Sequence, residues 1–291
     1  MSGKQRGESS LVGSSGTAMR GRTKDVTVIF VGHGTRSHVG RLEFHQTCNL
    51  TAQGILRRLR RMASTGLNLT FERGCLELAE PALLQTLRLA SVQRADGVLI
   101  VPLFLFEAGH MEHDIPRMMA ESGLRHDSSV KVLPAIGVDS RFVQVTVHRV
   151  RETGYRDEQP EAVLLLGRGN QSVLAQAAFT QISLAVNQHL SPEYLDTGYL
   201  AGTGRDWRGA FEQMVADGHP HIYVQPYLWF HGWLTNQIRT WVNERQTSRW
   251  VKRMPRISVG EPLGIHPLII ESMVNRVVAE LLEREVLCSD G

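Results

Sequence analysis

VIFVGHGTR (residues 28–36) has an echo in AVLLLGRGN (162–170). In each, a continuous apolar run is stopped by a Gly-X-Gly turn. An apolar run without polar alternation is what a strand covered on both faces requires, and such strands belong to parallel sheets flanked by helices. Working outward, FERGCLEL (71–78) is echoed by LDTGYLAG (195–202). LIVPLFLFEAGH (99–110) is echoed by IYVQPYLWFHGW (222–233) with one residue deleted, and LPAIGVDS (133–140) by EPLGIHP (261–267). Four matches in the same order, offset by about 125 to 135 residues, describe a tandem duplication.

Within the first copy the spacing predicts strands over 26–32, 69–78, 97–104 and 131–137. Helices are expected over roughly Leu42 to Met62, from Pro81 with Leu83, Leu84 and Leu87 as its apolar face, from near His113, and over Arg141 to Arg151. Four β-α units in succession give an α/β fold with a doubly wound parallel sheet. The chain is therefore read as a leader expected to be disordered (1–25), a catalytic domain (26–153), a polar linker from Gly154 to Glu161, and a degenerate repeat domain (162–287).

The 291 residues suffice for two modest domains. A formal net charge of only +3 does not point to nucleic acid, and fits an acidic small-molecule partner better than a basic one. Cys48, Cys75 and Cys288 are distant and odd in number, which supports neither a disulfide framework nor a thiolate zinc site and suits a cytoplasmic setting. The most apolar run, Val98 to Phe106, is too short to span a bilayer, and the first 25 residues, rich in Gly, Ser and Arg, lack the apolar core expected of a secretory signal. There is no GxxxxGK[ST] loop, so no nucleotide is expected.

In a parallel α/β sheet the loops leaving the carboxyl ends of the strands line a shared crevice. His33 follows the first strand, Glu77 stands at the end of the second, and His110 follows the third. Each interval fits one strand plus one crossover helix, so the three should converge on one rim. Two imidazoles and a carboxylate suit borderline divalent metals such as Fe(II), Co(II), Ni(II) or Zn(II), and the same groups can accept protons. Each residue also has a plainer reading: His33 as part of a tight turn, Glu77 as an ion-pair partner of Arg73, His110 as a helix cap. The duplication weighs against these, because the second copy keeps the turns and has Arg168, Ala201 and Trp233 at the three places. His219 and His221 read as surface residues. The rings of WFHGW (229–233) read as packing between the halves or as a face for a flat ligand.

At VGHGTR (31–36), CLELAEPAL (75–83) and VPLFLFEAGHMEHDIP (101–116) the sequence resembles the sirohydrochlorin chelatases, class II chelatases that include a cobaltochelatase of cobalamin synthesis and a ferrochelatase of sirohaem synthesis. The resemblance covers about residues 26 to 285 and includes the duplication of the long members. It implies ATP-independent insertion of a divalent metal into sirohydrochlorin, with His33 and His110 binding the metal and Glu77 as the acidic residue on the substrate side. FLFEAGH leans towards the cobalt members, with iron the near alternative. No cofactor beyond the substrate metal is implied, and the internal duplication makes a monomer the expectation. Substrate carboxylates would seek cations, for which Arg36, Arg41, Arg117 and Arg168 are candidates by position. The competing readings are a metal or tetrapyrrole carrier without turnover, a two-lobed binding protein, and a haem-pathway ferrochelatase.

Overall fold

The computed structural model describes residues 23–62, 66–93, 95–107, 109–124, 129–158, 161–247 and 254–286. The predicted leader therefore lies almost wholly outside the described residues. The first half runs β1 (Lys24–Gly32), α1 (His38–Arg61), β2 (Leu67–Cys75), α2 (Leu83–Gln93), β3 (Gly97–Pro102), a π-helical turn (His110–Asp114), α3 (Ile115–Ser122), β4 (Val130–Val132) and α4 (Ser140–Glu152). The second runs β5 (Ala162–Gly167), α5 (Val173–Leu190), β6 (Tyr194–Tyr199), α6 (Trp207–Ala216), β7 (His221–Tyr227), α7 (Trp233–Thr247), β8 (Arg256–Val259) and α8 (Pro267–Val286). Two four-stranded parallel sheets result, ordered β2-β1-β3-β4 and β6-β5-β7-β8.

Alternation of side chains along the central strands explains the layers. Val26, Val28 and Phe30 of β1 point into one core with α1 and α4, while Ile29 and Val31 point into another with α2 and α3. β5 divides in the same way, Val163 and Leu165 against Leu164 and Leu166. The core on the α1/α4 side is continuous across the halves, since α1 packs on α8 and α4 on α5 and α8. Four helices thus form a shared middle layer between the two sheets, with α2/α3 and α6/α7 outside.

Several boundaries differ from the sequence reading. α1 starts earlier than Leu42 because Ser37 caps it, its hydroxyl accepting from Gly40 N at 3.2 Å. Pro81 does not open α2. It follows Glu80 through a cis peptide, and the helix begins at Leu83. The fourth strand is confined to Val130–Val132: Leu133 N still bonds to Ile100 O, but β3 ends at Pro102, and beyond it Ile136 N and Gly137 N bond to Phe104 O and Leu105 O outside regular pairing. His221 is buried, bonded to Glu161 at 2.9 Å and Ser258 at 3.0 Å, contrary to its reading as a surface residue. His219 stacks on Tyr194. No described helix is long and apolar enough to cross a membrane.

Candidate active site

The carboxyl ends of β1 and β5 open onto one cavity of about 380 Å³, lined by both halves. On the first side, Gly32, His33 and Gly34 turn out of β1. Glu77 is not at the strand end but two residues beyond Cys75, in a loop held against this turn: Leu76 N donates to Gly32 O at 3.0 Å and Glu77 N to His33 O at 3.0 Å. Gly34 has φ +93°, and a Cβ there would lie 1.7 Å from Glu77 O. The turn needs glycine both for its conformation and for the close approach of the two loops.

That approach brings the side chains together. His33 Nε2 lies 3.2 Å from Glu77 Oε1. Nδ1 lies 3.2 Å from Gly34 O. A carbonyl only accepts, so Nδ1 is the donor and Nε2 faces the carboxylate, where it shares either a proton or a cation with Glu77. Two ligands each about 2.1 Å from one ion stand about 3.0 Å apart at a right angle and about 3.4 Å apart at the tetrahedral angle, so the observed separation suits bidentate capture of a metal without rearrangement. Among the described residues no three His, Cys, Asp or Glu side chains converge on a metal position. The His110 side chain, the third member predicted from sequence, lies outside the described residues. Its backbone heads the π-helical turn, a feature often found at functional sites, and the next residue, Met111, lines the cavity. Cys75 also lines the cavity, but burial, with help from Glu80, pushes its thiol up and away from the thiolate a metal would require.

The remaining wall is apolar and aromatic: Phe44, Phe104 and Phe106 from the first half, Phe179, Trp229 and Trp233 from the second. Trp229 is buried edge-on against Phe142, and Phe230 meets Phe44 edge-on, so these rings do join the halves. Trp233 is 69% exposed and available to a flat ligand. Of the arginines proposed from sequence, Arg41 and Arg168 line the cavity and Arg36 and Arg117 do not. Burial first, then the positive fields of Arg73 and Arg41, hold the His45 imidazole on this wall below its ordinary range.

One cluster had no signal in the sequence. Both ring nitrogens of His231 meet carboxylates, Nδ1 with Glu43 Oε1 at 2.7 Å and Nε2 with Glu261 Oε2 at 2.9 Å, while His231 N donates to Glu43 Oε2 at 2.8 Å. Arg239 completes the set at 2.6 Å from Glu261. Ionised carboxylates only accept, so the geometry suits a ring donating from both nitrogens. Glu43 belongs to α1 and His231 to the loop after β7, far apart in sequence, so no local pattern could pair them.

Comparison with known proteins agrees with this architecture. The CbiX family model matches residues 27–153 and again 162–280. The chain is 26% identical to the sirohydrochlorin ferrochelatase of Bacillus subtilis over 86% of this chain and 90% of that one. It is 24% identical to the sirohydrochlorin cobaltochelatase of Priestia megaterium over 89% and 81%. The structure of SirB from Bacillus subtilis with Fe3+ superposes with a TM-score of 0.66 at 24% identity, covering 87% of this chain and 94% of that one.

Proposed function

Because the chain belongs to the CbiX family of sirohydrochlorin chelatases, we propose that it inserts a divalent metal ion into sirohydrochlorin, with Co(II) preferred and Fe(II) the near alternative. The observation that carries the proposal is the His33–Glu77 pair at 3.2 Å on the rim of an apolar, aromatic cavity. A macrocycle needs such a surface, and a metal needs such a pair.

Insertion exchanges two pyrrolic protons for one dication. His33 Nε2 and Glu77 hold the incoming ion, with His110 as a further ligand, and displace part of its water shell. The Gly34 carbonyl fixes the His33 tautomer, so that Nε2 presents its lone pair to the metal. As the ion leaves for the ring, Glu77 and His33 regain the capacity to take the released protons. The protein's residues supply the electrostatics, and no further cofactor is proposed. Since one chain furnishes both walls of the cavity, the proposed active form is a monomer, and the three scattered cysteines favour a cytoplasmic setting for it.

The test is an absorbance assay with sirohydrochlorin in large excess over protein and Co2+ or Fe2+ as the varied metal. Multiple turnovers are expected from the wild type, with His33→Ala and Glu77→Ala each slowed by about 100-fold or more. Stoichiometric binding without turnover would instead identify a carrier, and wild-type rates in both variants would refute the site.

A further inference from the structure

The duplication supplies an internal control for every position in the cavity. Leu200 N donates to Gly167 O at 3.0 Å and Ala201 N to Arg168 O at 2.8 Å, the same two bonds that tie Leu76 to Gly32 and Glu77 to His33. Gly169 has φ +97°, and a Cβ there would meet Ala201 O at 1.6 Å, as at Gly34. Arg168 therefore leaves the backbone from the counterpart of the His33 position, in the other half, and lines the same cavity.

Its electrostatic setting differs from those of Arg117 and Arg41. Glu77 has no equivalent, because Ala201 stands there. Arg168 is exposed and takes part in none of the described ion pairs or side-chain hydrogen bonds. Arg117, by contrast, is committed to Asp114 at 3.2 Å and Glu121 at 3.1 Å, away from the cavity. Arg41 lines the cavity but donates to Arg36 O at 3.3 Å. The described residues lining the cavity include Arg41 and Arg168 and no Asp or Glu. The counterpart of Arg41 on α5 is Gln176, four residues after the cap Ser172 as Arg41 is after Ser37, and it is tied to Asn170 O at 2.7 Å. In the second half the cation has thus moved from the helix to the turn.

A guanidinium outside the described ion pairs, at the edge of a hydrophobic cavity whose described lining holds no carboxylate and whose rim carboxylate, Glu77, pairs with His33, is built for a carboxylate that arrives with the ligand. We propose that Arg168 is a specificity-determining residue that binds a peripheral carboxylate of the tetrapyrrole and so holds the ring from the second half while His33 faces it from the first. This rests on the chelatase reading.

The experiment compares wild type, Arg168→Gln and Arg168→Lys in steady-state metallation of sirohydrochlorin and in tryptophan-fluorescence binding of sirohydrochlorin and of protoporphyrin, which carries fewer carboxylates. Expected for Arg168→Gln is a KM raised about tenfold with a much smaller change in kcat. Sirohydrochlorin binding should weaken in parallel and protoporphyrin binding much less, with partial recovery in Arg168→Lys. Unchanged KM in Arg168→Gln, or equal weakening towards both tetrapyrroles, would overturn the assignment while leaving the chelatase reading intact. A wild type that neither binds nor metallates sirohydrochlorin would overturn the reading itself, and the assignment with it.

Discussion

The turn after β1 and the turn after β5 share a backbone and differ in chemistry. Both pair with the loop of the neighbouring strand through two main-chain hydrogen bonds, and both place a glycine where a Cβ would strike a carbonyl oxygen. Yet the first presents His33 beside Glu77, and the second presents Arg168 beside Ala201. Steric necessity accounts for what the two turns have in common, and it places no demand on the residue between the glycines. That residue is free to do chemistry, and in each half it faces the same cavity. Among the described residues, the second half also contributes a feature with no counterpart in the first, a histidine held between carboxylates from both halves.

The comparison can be broken most forcefully at the glycines. Gly34→Ala and Gly169→Ala should each cost about 4 kcal/mol or more, because each adds a Cβ within 2 Å of a backbone oxygen (1.7 and 1.6 Å) at positive φ. Chemical denaturation of the two variants would measure this. A large loss in one and none in the other would show that the turns are not mechanically equivalent. A smaller effect is expected where the halves meet. Glu43, with only 15% of its side chain exposed, accepts two bonds from His231. Glu43→Gln should lower stability by about 1–3 kcal/mol, and thermal melts would detect it. No change would mean that the contact does not join the halves energetically.

The smallest effect concerns pH. Burial opposes ionisation of Glu261, but hydrogen bonds from Arg239 and His231 outweigh it, so the carboxyl is held below its ordinary value. A depressed carboxyl contributes stability that is complete above its unfolded value, about 4.3, and that is lost as pH falls through the lower folded value. The Tm difference between wild type and Glu261→Gln should therefore be present at neutral pH and vanish in that acidic window. A difference that persists below it would exclude Glu261 ionisation as the source.

How much of this was readable beforehand depends on the range of the interaction. The strands of β1, β3 and β5 were plain because burial on both faces leaves unbroken apolar runs. His33 and Glu77 stood out because the duplicate keeps the glycines and replaces them. The fourth strand is shorter than its apolar run because such a run does not reveal how far its neighbour extends. Pro81 precedes α2 instead of opening it, since proline suits several backbone settings equally well. Helix α1 begins before its first strongly apolar turn because the cap at Ser37 lies ahead of it.

By itself, the sequence determined the α/β class, the duplication and the rim on which His33 and Glu77 lie, since each follows from periodicity or from comparing the two copies. Only the tertiary structure decided that His33 and Glu77 approach to 3.2 Å, that Arg168 and not Arg117 shares their cavity, and that His231 reaches Glu43. These are contacts between segments distant along the chain, set by how α1, α4, α5 and α8 pack into one layer, and no local pattern of residues encodes a distance across that layer.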